Sequence, residues 1–232
     1  MKRYVFFGFG GVAEGVVNKL VAEGAEVVCV SRKKHTLPGV TFKQANIMSD
    51  DIGPLFAELF SSQKVDCIVN TIGMLHAGTQ QPEKALSQVC EHFLMENIRV
   101  NVLPTIRIAQ GVSAFLNRQS SCKFIAFSAR LASISDNHLG GWYSYRMSKT
   151  MLNMFIKNLS IEWGRSFPGV TIAGYHPGTV DTALSKPFQR LSDPNAVFSP
   201  SKAADYFLRV LKELNTEDSG QVFDWRGEVI DC

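Results

Sequence analysis

Tyr4-Val5-Phe6-Phe7-Gly8-Phe9-Gly10-Gly11-Val12-Ala13 decides the fold. Four apolar residues run into a cluster of glycines, after which Val12, Val16, Val17 and Leu20 recur at the spacing of one helix face as far as Gly24. This is strand, glycine turn, helix. Residues 26–30 make a second apolar run, with Val27, Val28 and Cys29 inside it, closing at Ser31-Arg32. The first thirty or so residues therefore predict one βαβ unit with a right-handed crossover, and with it a parallel sheet.

Working outward, strand-like runs at 40–42, 65–69, 123–128, 170–175 and 221–224 alternate with helical patterns. The helices are expected at 50–60, 82–95 and 97–116, with Gly111 as a tolerated interruption, then from Tyr145 to about Trp163, and from Ser199-Pro200-Ser201 to Leu214. Such alternation predicts an α/β fold: a doubly wound Rossmann-type domain, with a mainly parallel sheet of about seven strands flanked by helices. A length of 232 residues suits one such domain over 1–232. Residues 179–200, which hold Pro187, Pro194 and Pro200, read as a long excursion over one end of the sheet.

Composition narrows the function classes. The net charge of +3 is spread over both signs with no polybasic block, so a nucleic-acid partner is not expected. The five cysteines, Cys29, Cys67, Cys90, Cys122 and Cys232, show no CxxC and fit buried free thiols of a reducing compartment. The histidines are scattered without ligand spacing, so no metal site is expected. Met1-Lys2-Arg3 leads directly into a strand, and no apolar stretch is long enough for a membrane span; the expected location is cytoplasmic.

In a doubly wound sheet, ligands bind beyond the carboxyl ends of the strands, near the switch in strand order. Gly8-x-Gly10-x-x-Ala13 fits a dinucleotide there: two glycines admit the pyrophosphate to the helix N-terminus, and the small third residue lets helix and strand pack closely. At the end of the second strand an Asp or Glu would bind a ribose 2′-hydroxyl, but Ser31 and Arg32 stand there. A cation without a carboxylate suits a 2′-phosphate, so NADP(H) is favoured over NAD(H). Further on, Tyr145 and Lys149 lie four apart and so share a helix face. The ammonium is expected to lower the phenol's pKa from its usual ~10 and make it a usable acid. The apolar stripe Met147, Met151, Leu152, Met154, Phe155, Leu159 and Trp163 is expected to seat this helix against the sheet.

Taken together, these residues resemble the short-chain dehydrogenase/reductases, over nearly the whole chain. Tyr145 and Lys149 match the family's YxxxK. Asn70-Thr71-Ile72-Gly73 stands for its Asn-Asn-Ala-Gly, Asn101 for its catalytic asparagine, and Pro177-Gly178-Thr179-Val180-Asp181-Thr182 for its nicotinamide loop. Ser128-Ala129-Arg130, Ser133-Ile134, Asp136-Asn137, Gly140-Gly141-Trp142, Tyr145-Arg146 and Asp224-Trp225 look like the small bacterial branch related to C-factor and sniffer-type carbonyl reductases.

The resemblance implies hydride transfer between NADPH and an aldehyde or ketone. Tyr145 would be the general acid, Lys149 its partner and the ribose ligand, and Asn101 would fix a water on the proton path. A serine would hydrogen-bond the carbonyl oxygen: Ser128 first, Ser133 second, or neither, because Ala129 replaces the second of the family's two serines. The cofactor would lie against Gly8, Gly10, Gly11, Val12 and Ala13, against Ser31 and Arg32, and against Asn46 and Ile47. It would continue past Asn70, Thr71, Ile72 and Gly73 to Tyr145, Lys149, Pro177, Gly178, Val180 and Thr182. The glycine loop is one residue shorter than the family's, and Asn46 replaces an Asp near the adenine. Leu75, His76, Trp142, Phe188 and Phe198 indicate an apolar or aromatic carbonyl or alcohol substrate. A homodimer through the helices at 97–116 and 145–163 is also implied. The alternative reading is an NADP(H)-binding regulatory protein with little turnover. A nucleotide-sugar epimerase ranks third, since only about fifty residues follow Thr182.

Overall fold

The computed structural model describes residues 1–49, 51–61, 63–191 and 197–231. Its elements run β1 (Arg3–Phe7), α1 (Val12–Ala22), β2 (Glu26–Ser31), β3 (Val40–Gln44), α2 (Gly53–Phe60), β4 (Cys67–Asn70), α3 (Glu91–Asn101), α4 (Leu103–Ser113) and β5 (Lys123–Phe127). There follow α5 (Tyr143–Ser166), β6 (Thr171–His176), β7 (Thr179–Val180), β8 (Val197–Phe198), α6 (Pro200–Glu213) and β9 (Val222–Asp224). Seven strands form one sheet in the order β3-β2-β1-β4-β5-β6-β9, every neighbouring pair parallel. The Rossmann-type expectation is met.

Alternation along β1 shows why both faces need helices. Its five residues are all buried. Tyr4 and Phe6 join a cluster with Val16, Val17 and Leu20 of α1 and Phe207 and Val210 of α6. Val5 and Phe7 point the other way, to Phe56 of α2, Ile108 and Val112 of α4, and Leu152 and Ile156 of α5. Phe7 and Phe56 stack with ring centroids 5.6 Å apart. Each such side chain contributes about 1.5–3 kcal/mol on burial, so the two layers fix which way the strand ends face.

Several boundaries differ from the sequence reading. The helix expected at 82–95 begins only at Glu91, after a short 3-10 turn at Leu86–Gln88. The helix expected at 97–116 is two helices broken at Val102, with Pro104 in the first turn of α4. Proline lacks the N–H and its ring crowds the carbonyl four residues back, so α3 cannot continue through it. Gly111 has a packing reason: an added Cβ would lie 2.5 Å from the Phe56 ring. Asp50, the expected start of α2, lies outside the described residues, and so do Pro194 and Cys232. The excursion at 179–200 contains a parallel pair, with Val180 opposite Phe198. Cys29, Cys67 and Cys122 are buried free thiols, but Cys90 is exposed at the start of α3. No helix among the described residues is long and apolar enough to cross a membrane.

The fold places the chemistry at one rim. β2 and β3 lie on one side of β1, and β4, β5, β6 and β9 on the other. The turns after β1, β4, β5 and β6 therefore meet at the carboxyl edge of the sheet.

Candidate active site

A cleft of about 840 Å³ opens at this rim, between the turns after β1 and β4. The glycine turn needs unusual backbone, and Gly8, Gly10 and Gly11 have φ of 95°, 148° and 54°. Gly8 approaches so closely that an added Cβ would lie 2.7 Å from Thr71 Oγ1, and at Gly11 it would lie 2.7 Å from Thr182 Cγ2. At Gly10 it would meet nothing within 4 Å, because this glycine faces the open cleft. Those contacts bring the turns after β1, β4 and β6 around one cavity beside the N-terminus of α1, which is a cradle suited to a pyrophosphate.

Gly8, Gly10, Gly11, Val12, Ala13, Ser31, Arg32, Asn46, Ile47, Thr71, Ile72, Gly73, Pro177, Gly178, Val180 and Thr182 all line it. Asn70 does not. Its side chain is buried, with Nδ2 donating to Thr105 Oγ1 at 2.7 Å and Oδ1 accepting from Ile72 N at 3.0 Å, so it braces the turn from behind. Asn46 builds its own turn, accepting from Met48 N at 3.1 Å. Sequence reasoning missed Phe9, Lys33 and His35, which line the same end as Arg32. Lys33, next to Arg32 in the chain, was the available signal. His35 was not legible, because its edge contact with Phe9, 4.8 Å between centroids, depends on the glycine turn. Among the described lining residues there is no carboxylate.

At its far end the cleft meets the helix that carries Tyr145. A Cβ on Gly73 would sit 3.4 Å from Asn101 Oδ1 and 3.5 Å from Lys149 Nζ, in ordinary van der Waals contact, so both groups converge beside the turn after β4. Lys149 is buried and donates to Phe127 O at 2.9 Å. Asn101 Oδ1 accepts from Met74 N at 2.7 Å, while its Nδ2 donates to Met74 O at 3.0 Å and to Ser148 Oγ at 2.9 Å. Thus Asn101 ties the turn after β4 to α5. Tyr145 packs with Leu75 and Ala129, and with Trp142, Leu131 and Phe188 at the edge. His76 faces Phe188 at 5.8 Å between centroids. The expected pocket residues gather there except Phe198, which packs behind Gly178 against Tyr206 and Trp225.

Neither candidate serine bonds to the phenol. Ser128 Oγ donates to Asn153 Oδ1 at 2.5 Å, and Ser133 Oγ pairs with Ser135 Oγ at 3.2 Å and accepts from Asp136 N at 3.0 Å. The chain stays extended through Ala129, with φ of −152° and ψ of 146°. Successive side chains therefore point to opposite faces, and the one that meets Tyr145 is the methyl of Ala129.

Burial governs both titrating groups. It raises the Tyr145 phenol above its usual value, against the expected lowering, and the group stays protonated at neutral pH. It lowers the Lys149 ammonium from 10.5 to about 8. The unfolded chain then binds more protons at this site between pH ~8 and ~10.4, so its contribution to stability rises with pH across that window. Below pH ~8 the cost of the buried charge is present in full, roughly 3 kcal/mol at ~1.4 kcal/mol per pKa unit. Lys149→Met removes that dependence. Urea unfolding at pH 7, 8.5 and 10 should show the variant's advantage over the unaltered protein shrinking by ~1–3 kcal/mol as pH rises; parallel pH profiles for the two proteins would refute it.

Comparison with known proteins fits this geometry. Residues 5–192 match the short chain dehydrogenase family. C-signal of Myxococcus xanthus is 30% identical over 172 residues, which cover 74% of this chain and 95% of that protein. Among solved structures, NADPH-bound carbonyl reductase from chicken fatty liver superposes with a TM-score of 0.84 at 20% identity, covering 100% of this chain and 99% of its own. Carbonyl reductase Sniffer of D. melanogaster gives 0.84 at 18% identity, with 100% of both chains covered. At those identities the structural likeness is one of fold. The family match, its four motifs and their convergence on one rim lead to the conclusion that the chain belongs to the short-chain dehydrogenase/reductase family of oxidoreductases.

Proposed function

We propose that the protein is an NADP(H)-dependent reductase of aldehydes or ketones with Tyr145 as its proton donor. The observation that carries this reading is the convergence at Gly73, which sets Asn101 and Lys149 at the end of a cleft whose described lining holds no carboxylate. When bound, the cofactor supplies the hydride that the carbonyl carbon accepts. Tyr145 gives its proton to the carbonyl oxygen, completing the alcohol and leaving a phenolate. The Lys149 ammonium stabilises that phenolate, and its pKa of about 8 lets it exchange a proton near neutral pH. Trp142, Phe188, Leu75 and His76 form the wall against which an apolar or aromatic substrate rests, and they exclude water from the phenol.

A second reading, regulatory NADP(H) binding with little turnover, is favoured by one observation: a methyl of Ala129 packs where a hydroxyl beside Tyr145 would serve the carbonyl oxygen. One set of variants separates the two. Tyr145→Phe should keep NADPH binding and lower reduction of a reactive aldehyde or diketone by roughly 10²–10⁴-fold. Ala129→Ser should raise kcat on the same substrate by roughly tenfold or more, since a hydroxyl there adds an oxyanion donor. No turnover by the unaltered protein, together with tight NADPH binding, would favour the regulatory reading. Turnover that survives Tyr145→Phe would remove Tyr145 as the acid.

Cofactor preference rests on Arg32 and Lys33 at the adenosine end. Gln44 Nε2 donates to Arg32 O at 3.1 Å, which fixes the backbone that presents the guanidinium. Arg32→Ala is expected to weaken NADPH binding by about 2–4 kcal/mol and NADH binding hardly at all. Calorimetry showing equal losses would reject a 2′-phosphate contact.

The outer face of α5 supports a homodimer as the proposed assembly. Met147, Met151 and Met154, expected from the sequence to pack against the sheet with Leu152, Leu159 and Trp163, are instead exposed there with Ile161, because they lie on the other side of the helix, and Met95 and Leu103 are exposed on α3 and α4. A homodimer pairing these helices across a twofold axis would cover them. Light scattering at micromolar concentration should give twice the 25.7 kDa chain mass, and a monomer would count against it.

A further inference from the structure

Glu83 lies between β4 and α3 with its side chain 1% exposed. A buried carboxylate is costly unless cations or hydrogen bonds compensate it, and among the described residues this one forms no ion pair. Both its oxygens go to a single residue at the start of α5: Oε2 accepts from Ser144 N at 3.2 Å, and Oε1 accepts a close bond from Ser144 Oγ. Its backbone carbonyl accepts from Trp142 N at 2.5 Å.

The segment held in this way is an unusual one. Gly140, Gly141 and Trp142 all have positive φ, of 64°, 65° and 51°, and Trp142 is the single non-glycine residue with positive φ among those described. Bulky residues avoid that region, so it persists where surrounding contacts over-determine it. Gly141 presses against Glu83, since an added Cβ would lie 3.3 Å from Glu83 O. Three residues past Trp142 comes Tyr145, in the first turn of α5. Trp142 meets the Tyr145 ring edge-on at 6.3 Å and Phe188 at 5.0 Å. One carboxylate therefore fixes the first turn that carries the phenol and the indole that walls the pocket.

We propose that Glu83 is a positioning residue for Tyr145: its clamp on Ser144 and Trp142 sets the phenol's aim and the shape of the substrate wall. The inference rests on the reading of Tyr145 as the proton donor. It requires two acceptors in one place, which glutamine does not offer; an amide presents a donor to one of the two donors of Ser144.

Glu83→Gln, Glu83→Ala and Ser144→Ala test it, each assayed well below its own unfolding midpoint. The expected result is a kcat lowered at least tenfold in Glu83→Ala and less in Glu83→Gln, with the Kd for NADPH kept within twofold. A misplacement of about 1 Å is enough for such a loss. A separate readout needs no turnover. With 5-fluorotryptophan in place of all three tryptophans, the Trp142 resonance, assigned through Trp142→Phe, should move in Glu83→Gln while those of Trp163 and Trp225 stay. An unmoved Trp142 resonance overturns the proposal. So does an unchanged kcat, or a kcat loss matched by an equal loss of NADPH affinity, which is general loosening. If Glu83→Ala fails to fold, Glu83→Gln and Ser144→Ala decide alone. Turnover that survives Tyr145→Phe marks failure of the proton-donor reading; Tyr145→Phe inactive beside a fully active Glu83→Gln marks failure of this one.

Discussion

The sheet changes its direction of growth once, and the rest of the molecule follows from that reversal. From β1 the chain adds β2 and β3 to one side, then returns to place β4 against the free edge of β1. Right-handed crossovers on both sides send helices to opposite faces, so the turns after β1 and β4 diverge and leave a gap between them. Among the described residues that gap stays an open cleft, and the backbone around it is braced in part by side chains that face away from it. Asn70 exemplifies this, since its buried amide links the turn after β4 to Thr105 of α4 and gives nothing to the cleft.

Polar groups at the rim are held by contacts across long stretches of chain. Asn101 bridges Met74 to Ser148, and Lys149 is tied to Phe127 O. These bonds satisfy polar groups that burial removes from water, although the ammonium of Lys149 still carries the net cost that its lowered pKa records. They also tie the asparagine and the ammonium to fixed backbone and to α5, the helix that carries the phenol, which suits chemistry that needs fixed distances more than adaptable ones.

Much of this was legible in the sequence because it lies in short segments. Strand runs such as 4–7 and 26–30 are buried on both faces and so read as continuous apolar stretches, and the glycine turn between strand and helix announces itself. Tyr145 and Lys149 are related by helix geometry alone. What escaped depended on direction or distance. Ser128 looked like the hydroxyl at the end of β5, but the extended backbone continues, and the face toward Tyr145 falls to Ala129. The break at Val102 was available in Pro104 and was passed over because apolar periodicity runs across it. Glu83 gave no local signal at all, since its partner Ser144 is 61 residues away.

The parallel pairing of β7 with β8 has an evolutionary consequence. Val180 and Phe198 are neighbours across this small ribbon, so the chain leaves and re-enters the rim at nearly one point. Thr182 stays against Gly11, and Phe198 stays behind Gly178, whatever the length of what runs between them. Closing a longer excursion costs only about 0.6 kcal/mol per doubling of its length. Ala183, Leu184 and Ser185 still line the dinucleotide cleft, so it is the part of this stretch beyond Ser185, which carries Phe188 to the wall beside Tyr145, that can be lengthened, shortened or exchanged as a cassette while the cradle stays as it is.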